Sequence, residues 1–125
     1  MAETKTLACK YSGCRNHHTL TDTEIGVGIL PKSSELIGVK TFERPKIVIF
    51  GPGYTVIQII GSSHLALSTW PEDGEVSFTA EVYKGSRPYR AIHYLMKQLD
   101  AETCQVTEVR YFNSGNRVLK RTLRR

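Results

Sequence analysis

The chain has 125 residues, of which 40% are hydrophobic and 23% charged, as expected of one globular domain. No apolar run approaches the ~18 residues of a membrane span, and the N-terminus lacks a signal-peptide core, so we expect a cytoplasmic protein without a membrane segment. Three cysteines, an odd number, predict no disulfide framework and fit a reducing compartment.

The net charge of +5 is matched by five basic residues after position 116, so the rest of the chain is formally neutral. We therefore divide the chain into a domain over residues 1–116 and a basic C-terminal tail over residues 117–125. Such a tail could contact nucleic acid, but the chain lacks the aromatic-interleaved basic strands of single-strand binders. A solvated tail is the favoured interpretation.

In chain order, a first strand is predicted from Thr4 to Tyr11. Two cysteines and two histidines fall close together within and after this strand, but their spacing fits no zinc pattern, and no metal is expected; they are Cys9, Cys14, His17 and His18. A helix N-cap is possible at residues 21–24. Gly26, Gly28 and Pro31 interrupt the segment that follows, which predicts a broken or shortened helix, with a second short helical turn over residues 33–37.

Strands dominate the remainder. Runs rich in β-branched residues predict strands over residues 46–50, 55–60, 65–70 and 76–83. Pro88 suits the first position of a helix, and apolar residues then recur at three- and four-residue spacing as far as Leu99. A last strand is predicted over residues 104–112, followed by a turn. These elements predict an α+β fold: a two-layer α/β sandwich, an antiparallel sheet with helices packed on one face.

The most informative stretch is residues 61–72, which reads Gly-Ser-Ser-His-Leu-Ala-Leu-Ser-Thr-Trp-Pro-Glu. Two serines at a break between two strands fit an ordinary hairpin corner. They also fit a site of backbone chemistry or ligand contact, with an aromatic residue and a carboxylate beside a rigid proline.

This stretch resembles the processing site of the small prokaryotic-type S-adenosylmethionine decarboxylases, which reads Glu-Ser-His, an apolar strand, then His-Thr-(Trp or Tyr)-Pro-Glu. Weaker similarity extends over roughly residues 5–112, including the strand at 53–60 and the helix at 88–99. The resemblance implies that the chain cuts itself between Ser62 and Ser63, and that Ser63 becomes a pyruvoyl group. It also implies a homodimer with active sites near the interface.

The resemblance assigns catalytic positions as well. Thr55 occupies the place of an upstream hydroxyl that steadies the developing oxyanion, although packing in a strand explains it equally well. Ser68 replaces the family's processing histidine, Ser62 its glutamate, and Tyr83 its proton-donating cysteine. A serine is no base near pH 7, and a phenol is a weaker acid than a thiol, so Tyr83 either donates a proton or fills space.

The substrate positions are closer to the family pattern. Glu72 stands where a carboxylate accepts hydrogen bonds from ribose hydroxyls. Phe50 and Trp70 stand where aromatic rings stack on adenine or contact a sulfonium. The alternatives are a surface acid at a turn for Glu72 and simple burial for Trp70.

Two main functions remain open. One is a pyruvoyl-dependent decarboxylase of S-adenosylmethionine, serving spermidine biosynthesis, or of another amino acid such as ornithine or arginine. The other is an uncut, inactive homologue that binds a nucleoside ligand or regulates a partner protomer. A third, use of the same scaffold to contact nucleic acid, depends on the basic tail alone.

Overall fold

The computed structural model describes residues 4–61 and 63–125. Within them, three α-helices and seven β-strands follow in the order β1 (Thr4–Ser12), α1 (His17–Thr21), α2 (Thr23–Ile37), β2 (Lys46–Phe50), β3 (Gly53–Ile60), β4 (Ser63–Trp70), β5 (Glu75–Tyr83), α3 (Pro88–Leu99), β6 (Thr103–Phe112) and β7 (Gly115–Arg124). A short 3-10 turn, Pro71–Asp73, joins β4 to β5. The strands that the sequence predicts are all present.

The strands form one sheet in the order β2-β3-β4-β5-β1-β6-β7, and every neighbouring pair is antiparallel. The first strand of the chain thus lies between β5 and β6. Sequence-adjacent strands pair as hairpins on either side of it, since β2 to β5 form a meander and β6 and β7 a hairpin. The predicted antiparallel sheet is confirmed.

All three helices cover the same face of the sheet. The phenol of Tyr11 in β1 donates to the Ile92 carbonyl in α3 at 2.8 Å. Tyr54 in β3 donates to the carbonyl of Thr19 in α1 at 2.8 Å. Tyr11 and Tyr54 occupy one row across the sheet, so their side chains emerge on one face. The core of large apolar side chains lies between this face and the helices, which confirms the predicted two-layer architecture.

Helix α2 differs from the expectation of a broken or shortened helix, because it runs unbroken for 15 residues with Pro31 inside it. Asp22 caps its start by accepting from the backbone N–H of Glu24 at 2.9 Å. Gly26 is required by packing, since a Cβ there would lie against the ring of Tyr54 and 2.8 Å from its hydroxyl oxygen. Tertiary contacts therefore override the weak helix propensity of this segment.

Most of the basic C-terminal segment is strand rather than an extension beyond the sheet. Residues 117–124 belong to β7, which pairs with β6 from Thr103↔Arg124 to Phe112↔Gly115. The ring of Tyr89 in α3 lies 5.2 Å from the guanidinium carbon of Arg121, a distance at which a cation is attracted to an aromatic face. The basic residues thus line an edge strand of the sheet.

The second face of the sheet carries no helix of the described chain, and we call it the open face. Small hydroxyl residues occupy its centre, and larger apolar side chains lie toward β2 and β3. Val48 is 59% exposed and Ile57 is 39% exposed. A face of this kind is suited to packing against another layer.

Candidate active site

Ser63 begins β4 at one end of the sheet and lines a cavity of about 510 Å³. Its hydroxyl is half-buried and donates to the backbone carbonyl of Glu81 in β5 at 2.6 Å. Gly61, two residues earlier, has φ of +60°, which a glycine adopts without strain. The cavity is therefore built around a tight chain reversal and an oriented serine. Ser62, the other residue of the predicted cleavage site, lies outside the described residues.

Three residues of titratable type contribute to the wall of the same cavity, namely Lys40, Glu81 and Tyr83. Lys40 and the apolar Phe42 come from the loop between α2 and β2, and Phe42 is 66% exposed. This loop is tied to the sheet by a bridge between Thr41 and Ile60. The cavity thus combines a strand end, a neighbouring strand and one crossing loop.

Tyr83 ends β5, is 50% exposed and is one of the residues that line the cavity. None of the three cysteines lines this cavity. Cys9 and Cys104 are buried under the helices, and the hydrogen bond that the Cys9 thiol donates to Cys104, together with burial, raises the pKa of Cys9. Burial raises the pKa of Cys14 to about 12. The thiols of Cys9 and Cys14 are thus held protonated, whereas the hydrogen bond from Cys9 lowers the pKa of Cys104.

Thr55 and Ser68 are brought together on the open face. They are direct partners across β3 and β4, and their hydroxyl oxygens lie 2.8 Å apart. Ser68 also pairs with Ser77 in β5, so the hydroxyls continue in a row. The hydroxyls of Thr55 and Ser68 hydrogen-bond to each other, and neither has the basicity of an imidazole.

Phe50, Trp70 and Glu72 gather at the opposite end of the sheet from Ser63. Phe50 pairs with Gly53, which occupies the same row as Trp70. A Cβ on Gly53 would clash with the Thr69 carbonyl oxygen, so this glycine lets the Trp-Pro turn pack closely on β3. Glu72 is exposed in the 3-10 turn that follows.

A lysine ammonium lies over the ring of Trp70. The ammonium of Lys10 lies 5.4 Å from the centroid of the Trp70 ring, and Lys10 forms a 3.1 Å ion pair with Glu75. One face of the half-buried indole therefore already carries a cation. Only the remaining ring surface is open to a ligand.

The predicted site residues thus form two groups within one chain. Ser63 and Trp70 are the two ends of the 8-residue strand β4, a separation of about 23 Å at roughly 3.3 Å per residue. Ser63 and Ser68 are separated by about 16 Å on the same basis. The structure places Tyr83 with Ser63, and it places Thr55 and Ser68 toward the end that carries Phe50, Trp70 and Glu72.

The sequence reasoning missed the residues that complete the Ser63 cavity, namely Lys40, Phe42 and Glu81. Glu81 could have been found, because it alternates with the apolar residues of β5 and precedes Tyr83 by two positions. Lys40 and Phe42 carry no such signal, since the loop reaches the cavity only through the fold.

Two further properties bear on the class of protein. In residues 4–61 and 63–125, no group of three or more His, Cys, Asp or Glu side chains is arranged to hold a metal ion. No helix in these ranges is long and apolar enough to cross a membrane. Together with the geometry above, the structure defines a two-layer α+β protein with a serine-bearing cavity at a strand end.

Comparison with known proteins identifies the family. The sequence model of "S-adenosylmethionine decarboxylase" matches residues 5–111. An arginine decarboxylase proenzyme of Caldivirga maquilingensis is 32% identical over 101 residues, covering 75% of this chain and 73% of that protein. An S-adenosylmethionine decarboxylase proenzyme of Pyrococcus horikoshii is 31% identical over 65 residues, covering 49% of this chain and 45% of that protein.

The fold comparison agrees. The crystal structure of the adenosylmethionine decarboxylase from Aquifex aeolicus superposes with a TM-score of 0.68 at 20% identity, covering 99% of this chain and 90% of that one. The chain belongs to the S-adenosylmethionine decarboxylase family. Its relatives include proenzymes named for two different substrates.

Proposed function

We propose that this protein is a pyruvoyl-dependent decarboxylase of S-adenosylmethionine that processes itself between Ser62 and Ser63. The observation that carries the proposal is the position of Ser63, a half-buried serine at a strand start whose hydroxyl is held in a 510 Å³ cavity. A pyruvoyl group derived from this serine would supply the carbonyl that accepts electrons when carbon dioxide leaves an amino acid. The product would serve spermidine biosynthesis.

Processing requires the Ser63 oxygen to attack the preceding peptide carbonyl. The hydrogen bond to the Glu81 carbonyl orients the hydroxyl, and Gly61 permits the tight reversal before it. Both features fit a residue that must present its oxygen to its own backbone. They support Ser63 as the source of the pyruvoyl group.

Substrate binding is proposed for Phe50, Trp70 and Glu72, with two aromatic rings for adenine and a carboxylate for ribose hydroxyls. Because Trp70 is about 23 Å from Ser63 along β4, one small substrate does not reach both ends of the same chain. A homodimer whose open faces pack with opposed strand directions brings the Ser63 end of one protomer to the Trp70 end of its partner. Each active site is then shared, with Ser63 and Tyr83 from one protomer.

In this arrangement Thr55 and Ser68 also come from the partner, since they lie toward the Trp70 end of the sheet. Thr55 is proposed to donate to the oxyanion formed at the cleavage site. Tyr83 is proposed to return a proton after decarboxylation. The half-buried hydroxyl row at the centre of the open face suits a close sheet-to-sheet contact.

One observation favours the alternative, an uncut homologue that binds a nucleoside ligand without chemistry. The hydroxyls of Thr55 and Ser68 bond to each other at 2.8 Å, so the position of the family's processing histidine holds a group with no basicity. The scaffold and the Trp-Pro-Glu turn are retained in either case.

The intact mass of the purified protein under denaturing conditions tests the proposal. A cut before Ser63 divides the chain into fragments of 62 and 63 residues, the second with a blocked pyruvoyl end. Ser63→Ala is expected to stay whole, whereas Ser77→Ala, a matched change on the open face, is expected to be cut normally. A wild-type chain that stays uncut would refute the decarboxylase and favour the alternative.

A further inference from the structure

Three positively charged side chains lie in one row across β1, β6 and β7. Lys5 in β1 is the direct partner of Arg110 in β6, and Arg110 is the direct partner of Arg117 in β7. Directly opposed side chains emerge on the same face, with their Cβ atoms about 5 Å apart. We call these three residues the cation row. Because like charges directly opposite each other destabilise a sheet, the row favours an anion that lies over it.

The cation row lies on the face of the sheet that carries the helices. Leu7 follows Lys5 by two positions and is fully buried in the core beneath them. Arg121 follows Arg117 by four positions and contacts the ring of Tyr89 in α3. Since side chains two or four positions apart in a strand share a face, Lys5 and Arg117 point to the helix side. The row is therefore on the opposite side of the sheet from the open face.

Arg110, at the centre of the row, is held by a buried carboxylate. Its Nε donates to the carboxylate of Glu108, whose side chain is 1% exposed, whereas that of Arg110 is 39% exposed. Removing one partner from a pair of this kind leaves a buried charge uncompensated, so Glu108 keeps the guanidinium in place. The bond uses Nε alone. The two terminal NH₂ groups, which have no other partner in the part of the chain that the structure describes, remain available as donors.

The two outer members of the row have no internal counter-charge. Across residues 4–61 and 63–125, neither Lys5 nor Arg117 forms an ion pair or a side-chain hydrogen bond. Lys5 is half-buried and Arg117 is exposed. Because Glu108 offsets only the charge of Arg110, the row keeps an excess of positive charge.

A small cavity of about 190 Å³ adjoins the row. Lys5 and Arg110 line it, together with Thr4, Lys84, Tyr111 and Phe112. Of these residues only Thr4 also lines the Ser63 cavity, so the two cavities are neighbours but distinct. A volume below the several hundred Å³ of sites for drug-sized ligands favours a compact group of few atoms.

We propose that the cation row and this cavity form a binding site for a phosphate or diphosphate group. The terminal NH₂ groups of Arg110 donate to phosphate oxygens as a planar pair, a geometry that a guanidinium provides and an ammonium does not. Lys5 and Arg117 add charge on either side, over a row roughly 10 Å wide. This inference does not depend on the proposed function, because Ser63 has no part in the site.

Calorimetric titration of the full-length chain with inorganic pyrophosphate tests the proposal. The titration is carried out at constant ionic strength in chloride, because screening weakens contacts between exposed charges. We expect saturable binding of one pyrophosphate per chain and weaker binding of orthophosphate. The Ser63→Ala chain is expected to bind pyrophosphate as the wild type does.

Four variants identify the residues responsible. Lys5→Gln and Arg117→Gln are each expected to weaken binding about tenfold, the effect of losing one charge-assisted contact. Arg110→Lys keeps a cation beside Glu108 but removes the planar pair of donors, and it is expected to weaken binding at least as much. Lys120→Gln is the matched control, since it removes one charge from β7 on the open face and should leave binding unchanged. Circular dichroism and thermal unfolding confirm that each variant is folded.

Three outcomes would overturn the site. They are an absence of saturable binding, binding that Arg117→Gln leaves unchanged, and an equal loss in Arg117→Gln and Lys120→Gln, which indicates only diffuse charge. A single-stranded oligonucleotide that binds more tightly than pyrophosphate, with equal losses in those two variants, would instead identify β7 as a nucleic-acid surface and also overturn it. An uncut wild-type chain that binds pyrophosphate refutes only the proposed function, whereas a cut chain that does not bind it refutes only this inference.

Discussion

The hydroxyl oxygens of Thr55 and Ser68 lie 2.8 Å apart across β3 and β4. The resemblance of residues 61–72 to the family's processing site implies a histidine at the position of Ser68. In this chain a mutual hydroxyl contact lies there instead. The chemistry of this row therefore depends on whether anything can accept a proton there.

Restoring an imidazole at this position should accelerate self-cleavage. Ser68→His is expected to raise the cleavage rate by roughly a hundredfold, the lower range for a positioned general base. Intact mass followed over time after synthesis measures the rate. Ser77→His places the same group on the adjacent strand of the same row and is expected to have no effect. Equal rates for both variants would count against a role for position 68.

A shared active site can be tested by mixing inactive protomers. Ser63→Ala and Glu72→Gln are expected to be inactive alone as decarboxylases. If each site takes Ser63 from one chain and Glu72 from the other, a mixed dimer regains one complete site. An equal mixture then recovers about a quarter of wild-type activity, because half of the dimers are mixed. Release of carbon dioxide from S-adenosylmethionine is the measurement, and no recovery after subunit exchange would mean that each chain carries its own site.

Two glycines of α2 should respond in opposite ways to the same substitution. Gly26→Ala is expected to destabilise the fold by roughly 1–3 kcal/mol, because the added methyl overlaps the Tyr54 ring. Gly28→Ala meets no atom within 4 Å and should stabilise the protein by about 0.5–1 kcal/mol through helix propensity. Urea unfolding measures both. A stabilising Gly26→Ala would show that the Tyr54 contact does not limit the packing of α2.

The thiol of Cys14 should be slow to react at neutral and mildly basic pH. Burial raises its pKa from the ordinary 9.0 to about 12, so at pH 8 its thiolate fraction is about a thousandfold below that of an unperturbed thiol. Iodoacetamide labelling followed by peptide mass analysis should be correspondingly slower in the folded chain than in guanidinium. Comparable rates would contradict the buried environment.

The raised pKa of Cys14 also predicts how the stability of the folded state changes with pH. Because the folded state holds the Cys14 proton more tightly than the unfolded state, the stability linked to this group is fully present below pH 9 and is lost as pH rises from 9 toward 12. A Cys14→Ala variant should show a weaker decline over that interval. Denaturant midpoints measured at several pH values provide the comparison.

The strands could be predicted because runs of β-branched residues bounded by turn residues indicate them in the local sequence, as at residues 46–60. The unbroken α2 could not, since Pro31 and Gly26 argue against a helix until the Tyr54 ring that occupies the space beside Gly26 is known. Strand β7 could not be predicted, because its basic residues are also typical of a solvated tail. Only its pairing with β6 shows that these residues form an edge strand of the sheet.

The candidate site shows the same limit. Ser63 could be located from its neighbours in sequence, because the Ser-His and Thr-Trp-Pro-Glu segments are contiguous. The separation of the predicted site residues into two groups, one at each end of β4, could not be predicted from neighbours in sequence. Ser63 and Trp70 are close in the chain but distant along an extended strand. Lys40 and Phe42 line the cavity because the loop between α2 and β2 passes beside it. No local sequence pattern predicts this contact.

The strand order has a consequence for what a cut before Ser63 would leave behind. Strands β1, β2 and β3 would belong to one fragment and β4 to β7 to the other, yet β1 lies between β5 and β6, and β3 is bonded to β4. The two polypeptides would therefore be interleaved at three strand junctions within a single sheet. Scission would create new chain ends without separating the pieces, so the mature protein would unfold as one cooperative body and its fragments would require each other to refold.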